Sequence, residues 1–259
     1  MNNKKFLSTA KEVINLEIKA LQKLKKNINK SFSDAVIKIA KCQSKVILCG
    51  VGKSGIIANK IAATLASVGT PSFSLIASEA SHGDLGMISK KDILILISYS
   101  GKTDELKNII QYANRNKIFL IGIVSKKESI LYNAADIKIL LPQVIEAGGI
   151  VPTASTTTQL ALGDALAIAT MKYKKFGALD FKKLHPAGSL GAQLKTVEDI
   201  MIKGKKIPFV NETINMKKAL KILSEKKLGI LVVRNKNRKI SGIITDGQIR
   251  RFSQNNVNF

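Results

Sequence analysis

Short uninterrupted apolar runs alternate, through the middle of the chain, with segments in which apolar residues recur every three or four positions. Runs of the first kind can be buried on both faces, which is typical of strands in a parallel sheet. The second pattern predicts amphipathic helices that cover such a sheet. The predicted strands are Val46–Cys49, Pro71–Leu75, Ile93–Ser98, Phe119–Val124 and Ile137–Leu141. The predicted helices are Gly55–Ser67, Ser78–Leu85, Thr103–Asn116, Ser129–Ala134 and, at the end, about Thr156–Phe176.

This alternation predicts an α/β fold with a doubly wound parallel sheet, flanked by helices and joined by right-handed crossovers. We assign the sheet to a domain of residues 46–192. Residues 1–45 have a helical pattern and predict one or two helices that pack on that domain. Residues 197–252 change to a strand, a helix and two strands, which predicts a small second α+β domain. We expect the polar tail from Arg250 onward to be frayed.

Composition narrows the class of protein. The 259 residues include 42 lysines and arginines, for a formal net charge of +24, which raises the possibility of nucleic-acid binding. The basic residues are mostly lysines spread over the whole chain, and no nucleic-acid-binding motif accompanies them. We therefore favour a general lysine-rich surface over a dedicated nucleic-acid face. The charge should still attract anionic substrates.

The sequence pattern favours neither a membrane span or secretion signal nor a disulfide or metal site built on cysteine. The longest apolar runs, such as Ile93–Ile97, are far too short to span a bilayer, and charged residues interrupt any apolar core of a secretion signal. Cys42 and Cys49 fit no metal-binding spacing, and two cysteines in a long chain do not indicate a disulfide scaffold. A cytoplasmic enzyme or regulator, without a membrane partner or a metal, is the expectation.

The first candidate site is the turn between the first predicted strand and its helix. Gly50, Gly52 and Gly55 let a ligand approach the backbone closely, and the new helix offers unpaired N–H groups and a positive dipole end. Lys53 and Ser54 lie on this turn, so it suits a phosphate. Its spacing matches neither a Walker loop nor a clean dinucleotide fingerprint, and an ordinary strand–helix turn without a ligand is the alternative.

A second candidate site follows the strand that begins at Ile93. Ser98, Ser100 and Thr103 supply hydroxyls at another predicted helix start, where backbone N–H groups could surround a phosphate without a metal. Ordinary helix capping by Thr103, with acidic residues in the first turn, is the alternative. Both turns should open on the same sheet edge, because ligands bind at the carboxyl ends of parallel strands.

The chain has only two histidines, and both occur in glycine-bearing, loop-like contexts. They are His82, in S-H-G-D-L-G, and His185, in H-P-A-G. A lone histidine is more often structural or simply exposed. Glu146 precedes a third, hydroxyl-rich helix start. Histidines and carboxylates beside a phosphate cradle supply the groups for proton transfer next to a sugar carbonyl.

With these residues in view, the chain resembles the arabinose 5-phosphate isomerases, in which a sugar-isomerase (SIS) domain precedes CBS motifs. The resemblance covers residues 46–191 almost without a gap, and its E-A-S-H-G-D-L-G and H-P-x-G-x-L-G segments are specific to the family. The matching segments are G-V-G-K-S-G at 50–55, K-I-A-A-T-L-A-S-V-G-T-P at 60–71, E-A-S-H-G-D-L-G-M-I at 79–88, S-Y-S-G-K-T-D-E at 98–105, P-T-A-S-T-T at 152–157, G-D-A-L-A at 163–167 and H-P-A-G-S-L-G at 185–191.

The resemblance implies interconversion of D-ribulose 5-phosphate and D-arabinose 5-phosphate through a cis-enediol, as a step toward Kdo and lipopolysaccharide. It also implies a homotetramer that needs no metal or cofactor. Site roles carry over onto matching positions. Lys53 is expected to bind or polarise the substrate. The expected phosphate-binding residues are Gly52, Ser54, Ser98, Ser100 and Thr103; the candidate bases are Glu105, slightly preferred, and Glu146; the candidates for ring opening or hydroxyl proton transfer are His82 and His185.

The chain also departs from the family. Tyr99 and Lys102 replace the usual residues of an S-N-S-G-E loop, and the loop after Glu146 looks shorter. Only one CBS motif is present, ending at 241–251, so we expect it either to pair across an oligomer or to belong to a truncated chain. The alternative function is a sugar-phosphate-binding regulator without catalysis. Residues 1–45 are too short and too regular for the helix-turn-helix that such a regulator usually carries.

Overall fold

The computed structural model describes residues 3–185 and 196–255. Contacts divide the chain into two compact units, Met1–Leu194 and Lys195–Phe259. Each unit has a hydrophobic core of its own.

The first unit begins with two helices and continues with alternating strands and helices. Its helices are α1 (Asn3–Asn27), α2 (Lys30–Ala40), α3 (Lys53–Ser67), α4 (Ala77–Ala80), α5 (Lys107–Arg115), α6 (Ile130–Ala134), α7 (Ala154–Tyr173) and α8 (Ala178–Leu184). Its strands are β1 (Val46–Gly50), β2 (Ser72–Ile76), β3 (Ile93–Ile97), β4 (Phe119–Val124) and β5 (Ile137–Leu140). Short 3₁₀ turns lie at Asp84–Met87 and Asp104–Leu106.

The strands of this unit form one parallel sheet in the order β2-β1-β3-β4-β5. This is the predicted doubly wound arrangement. The chain passes from β1 to β2 in one direction and from β3 through β4 to β5 in the other. The reversal lies between β1 and β3, so a crevice is expected beyond the carboxyl ends of these two strands. The topology therefore directs attention to the loops that follow them.

Helices cover both faces of the sheet, which explains the continuous apolar runs. Val46 and Leu48 of β1 pack in the core shared with α2, α3 and α7, whereas Ile47 and Cys49 pack in the core shared with α4 and α5. All five β1 residues are buried as a result. Burial raises the pKa of the Cys49 thiol to about 12, and a hydrogen bond with the Gly50 backbone lowers it only in part, so Cys49 acts as a neutral core residue.

The helices of the structure differ from the predictions in two main places. The helix expected over Ser78–Leu85 is split into α4 and the 3₁₀ turn Asp84–Met87, because Gly83 between them has a φ of +122° that a helix does not allow. The helix α8 was not predicted. Its N-cap is Gly177, whose backbone N–H donates to the Asp180 carboxylate at 3.1 Å.

The second unit is a small mixed sheet with helices. Its elements are α9 (Val197–Ile200), β6 (Phe209–Asn211), α10 (Met216–Lys226), β7 (Ile230–Arg234), β8 (Ile240–Thr245) and α11 (Asp246–Asn255). The strand β7 pairs in parallel with β6 and antiparallel with β8. The expectation of a frayed tail from Arg250 is wrong as far as Asn255, because those residues form α11; residues 256–259 lie outside the described part.

Candidate active site

The turn after β1 leaves backbone donors free for an anion. Gly52 is the N-cap of α3, with a φ of +58°, and it has no side chain with which to cap the helix. The first intrahelical bonds run from the N–H groups of Gly55 and Ile56 to the Gly52 carbonyl. The N–H groups of Lys53 and Ser54 therefore have no acceptor in the described part of the chain. Both point from the positive end of a helix of 15 residues.

The loop after β3 is held in a closed turn by hydroxyl groups. The buried Ser98 Oγ accepts a hydrogen bond from Gly101 N at 3.0 Å and lies 2.7 Å from Thr103 Oγ1. Gly101 has a φ of +67°, and a Cβ at this position would collide with Ser129. Ser100 is exposed, and its hydroxyl accepts a longer bond from Lys102 N at 3.3 Å. The loop thus combines an exposed hydroxyl with two mutually bonded ones.

A third loop, between β5 and α7, carries Glu146. Glu146 Oε2 accepts hydrogen bonds from Thr153 N at 2.8 Å, Thr153 Oγ1 at 3.2 Å and Ser155 N at 3.2 Å. These donors lie at the first turn of α7, a helix of 20 residues. The carboxylate therefore caps that helix, where its charge is stabilised by the unpaired N–H groups and the dipole.

Contacts bring the three loops to one edge of the sheet. The Tyr99 hydroxyl, in the second loop, donates to Pro142 O at 3.2 Å and accepts from Val144 N at 2.9 Å, so it joins the second loop to the third. The helices α3 and α7 lie side by side in the same direction, since Ile61 contacts Gly163 and Gly69 contacts Phe176. Their first turns lie at about the same height, because each begins about two turns before the Ile61–Gly163 contact.

Both units of the chain match known protein families. The SIS domain family matches residues 38–169, and the CBS domain family matches residues 197–255. The arabinose 5-phosphate isomerase KdsD of Shigella flexneri is 43% identical over 249 residues, which cover 95% of this chain and 76% of that relative. The chain belongs to the arabinose 5-phosphate isomerase family.

Solved structures agree with this membership in the family. The c3406 protein of Escherichia coli CFT073, determined in complex with arabinose 5-phosphate, is 40% identical, has a TM-score of 0.69, and is matched over 72% of this chain and 100% of that chain. A putative sugar-phosphate isomerase of Listeria monocytogenes has the same TM-score of 0.69 and the same coverage, 72% of this chain and 100% of that chain, at 30% identity. These comparisons do not support a regulator better than an isomerase.

Most of the residues predicted from the resemblance to the arabinose 5-phosphate isomerases lie in the three converging loops. They are Gly52, Lys53 and Ser54 in the first loop, Ser98, Ser100 and Thr103 in the second, and Glu146 in the third. Glu105 follows the second loop in the 3₁₀ turn Asp104–Leu106 and is exposed. Unlike Glu146, its carboxylate makes no hydrogen bond or ion pair with another described residue.

The two histidines lie apart from the bonded network. His82 is exposed in the turn after α4, beyond the carboxyl end of β2 and therefore on the same edge of the sheet. His185 follows α8; its ring stacks on Phe181 with centroids 3.8 Å apart, and its Nδ1 lies 2.9 Å from Phe181 O. The rest of the H-P-A-G-S-L-G segment of this isomerase family, residues 186–191, lies outside the described residues.

Two sets of contacts within the candidate site were not predicted from the sequence of this family member. Thr153 and Ser155 hold Glu146, although the hydroxyl-rich start of α7 was recognised; their separation from Glu146 by seven and nine positions follows no local capping pattern. Tyr99 was noted only as a departure from the family. Over residues 3–185 and 196–255, no group of three or more His, Cys, Asp or Glu side chains could hold a metal, and no helix is long and apolar enough to cross a membrane.

The carboxylate cap on α7 predicts a pH-dependent contribution to stability in this arabinose 5-phosphate isomerase homologue. Burial raises the pKa of Glu146, but the hydrogen bonds from Ser155 and Thr153 outweigh burial and bring it below its ordinary value of 4.5. A lowered pKa in the folded state stabilises the fold above the unfolded pKa, and this contribution is lost as the pH falls through the folded pKa. We expect Glu146→Gln to unfold at lower urea concentration than the wild type at pH 7. The difference should shrink below about pH 4.5, and an unchanged difference in acid would contradict the assignment.

Proposed function

We propose that this protein is an aldose–ketose isomerase that interconverts D-arabinose 5-phosphate and D-ribulose 5-phosphate through a cis-enediol, using no metal or cofactor. The observation that carries the proposal is that two turns suited to binding a phosphate, after β1 and after β3, converge with the anchored carboxylate of Glu146. The identity to KdsD and the likeness to the arabinose 5-phosphate complex of c3406 support the choice of sugar.

The first two loops would bind the phosphate. The free N–H groups at the start of α3 and the turn at Gly52 suit an oxyanion, and hydroxyls can complete its hydrogen bonds. The residues proposed to supply these hydroxyls are Ser54, Ser98, Ser100 and Thr103. Because Ser98 and Thr103 already bond to each other, either hydroxyl can turn its proton toward the ligand without leaving the loop.

The reaction itself requires proton transfers that the remaining residues can supply. A base removes the proton from C2 of the open-chain aldose and returns it to C1, while the hydroxyl proton of O2 is lost and O1 gains one. Lys53, exposed and beside the free amides of α3, would stabilise the negative charge that develops on the enediolate oxygens. His82 and His185 are proposed to open the sugar ring or move the hydroxyl proton.

Two glutamates can serve as the base, and the contacts favour Glu146, although the sequence alone slightly favours Glu105. Glu146 Oε2 is fixed by three donors, Thr153 N, Thr153 Oγ1 and Ser155 N. A carboxylate anchored in this way is already oriented for proton abstraction, which reduces the entropic cost of reaching the transition state. Glu105 lacks such an anchor.

We further propose a homotetramer acting in the cytoplasm and supplying arabinose 5-phosphate for Kdo and lipopolysaccharide synthesis. Exposed apolar side chains along α1 from Phe6 to Ile18 support association, because a surface of this kind is usually covered by a partner. They are Phe6 (52% exposed), Leu7 (64%), Ile14 (55%) and Ile18 (46%). A sedimentation measurement of molecular mass tests the tetramer, and a stable monomer would contradict it.

The proposed isomerase activity is tested with purified protein and D-ribulose 5-phosphate in deuterated water. We expect D-arabinose 5-phosphate to form, with some deuterium appearing at the carbon beside the carbonyl because the abstracted proton exchanges with solvent. Nuclear magnetic resonance measures both the product and the deuterium. Absence of both would overturn the proposed function. Deuterium exchange without product would mean that the protein forms an enediol from ribulose 5-phosphate but does not convert it to arabinose 5-phosphate.

A further inference from the structure

Tyr99 connects two of the loops that form the candidate site. It lies between Ser98 and Ser100 in the second loop, and its backbone carbonyl accepts hydrogen bonds from Ser125 N at 3.0 Å and Ser125 Oγ at 2.7 Å. Ser125 directly follows β4, so the Tyr99 backbone is tied to the central sheet. The start of its side chain is therefore fixed by a rigid element.

The far end of the same side chain reaches the third loop. The Tyr99 hydroxyl donates to Pro142 O at 3.2 Å and accepts from Val144 N at 2.9 Å. Only Ile145, which is 69% exposed, separates Val144 from Glu146. The ring between these two ends packs against the core that includes β1 and α7. A single partly buried side chain thus fixes the backbone two residues before the proposed base.

Glu146 consequently has two anchors of different origin. Its carboxylate is held by the first turn of α7 through Thr153 and Ser155, and the backbone two residues earlier, at Val144 N, is held by Tyr99 of the second loop. The two anchors act two residues apart, at Val144 and at Glu146, and each comes from an element that forms part of the candidate site. Burial raises the pKa of the Tyr99 hydroxyl, the hydrogen bond with Val144 lowers it in part, and the nearby charge of Glu146 raises it further, so the hydroxyl keeps its proton and can donate.

We propose that Tyr99 is a positioning residue that sets the place of Glu146 relative to the bound phosphate, so that the distance from phosphate to base is fixed by one side chain. This inference rests on the proposed isomerase function. Tyr99 itself touches no reacting atom. Because displacement of a catalytic group by about 1 Å can cost about 100-fold in rate, a positioning defect should lower kcat more than it changes KM.

The test is Tyr99→Phe, which keeps the ring but removes both hydroxyl hydrogen bonds and leaves Val144 N unpaired. We expect kcat for D-arabinose 5-phosphate to fall about 10-fold with little change in KM, and amide hydrogen exchange to accelerate in the peptide containing residues 142–147. Tyr112→Phe is the matched control, since Tyr112 is also half-buried and its hydroxyl bonds to no described residue. It should leave both readouts unchanged.

A double-mutant cycle separates positioning from general stability. In a Glu146→Asp background, Tyr99→Phe should lower kcat by much less than it does in the wild type, because the group that it positions has already been displaced. Equal losses in both backgrounds, or a wild-type kcat in Tyr99→Phe, would overturn the inference while leaving the isomerase function intact. A wild-type protein without isomerase activity would overturn both.

Discussion

Glu146→Gln is expected to reduce kcat by about 10²–10⁴-fold, the range typical of a lost general base. Glutamine keeps an oxygen that can accept from Thr153 N or Ser155 N, so the loop should keep much of its shape. What is lost is the carboxylate oxygen that could take a proton from carbon. Glu105→Gln should lower kcat by less than about 10-fold, because an exposed carboxylate without an anchor is poorly oriented for that step.

The comparison of these two variants needs a control for overall charge and folding. Glu212→Gln removes an exposed carboxylate in the second unit and should leave kcat unchanged. Circular dichroism at the assay temperature establishes that each variant is folded, and kcat is taken from the rate of ribulose 5-phosphate formation. If Glu105→Gln proved the more damaging change, Glu105 would be the base, and Glu146 would be left with its role as the cap of α7.

The sheet was predictable from sequence because its strands are buried on both faces. A strand such as β3 has no polar position between Ile93 and Ile97, so its apolar run stands out from the periodic helices on either side. The glycine turn at Gly52 was predictable for a related reason, since few residues other than glycine adopt its φ of +58°. Both features are determined by residues that are close together in the sequence.

The contacts within the candidate site join residues that are distant in sequence, and these contacts could not be predicted. The Tyr99–Val144 bond spans 45 positions, and no periodicity or composition indicates such a pairing. The broken helix after β2 was missed for a local reason: its residues favour a helix, but Gly83 interrupts it with a positive φ. Sequence therefore located the loops, whereas the structure showed which side chains hold them together.

Lys53→Ala is expected to lower kcat/KM by about 10²–10³-fold, the loss typical of removing one preorganised group that stabilises a developing oxyanion. Lys53 is exposed and forms no ion pair with a described residue, so the melting temperature should stay close to that of the wild type. Steady-state kinetics with D-arabinose 5-phosphate measures the loss. Lys90→Ala is the matched control, because it removes an exposed lysine beyond the amino end of β3, at the opposite edge of the sheet. Wild-type kinetics in Lys53→Ala would mean that Lys53 does not stabilise the enediolate charge, and the turn would then serve phosphate binding alone.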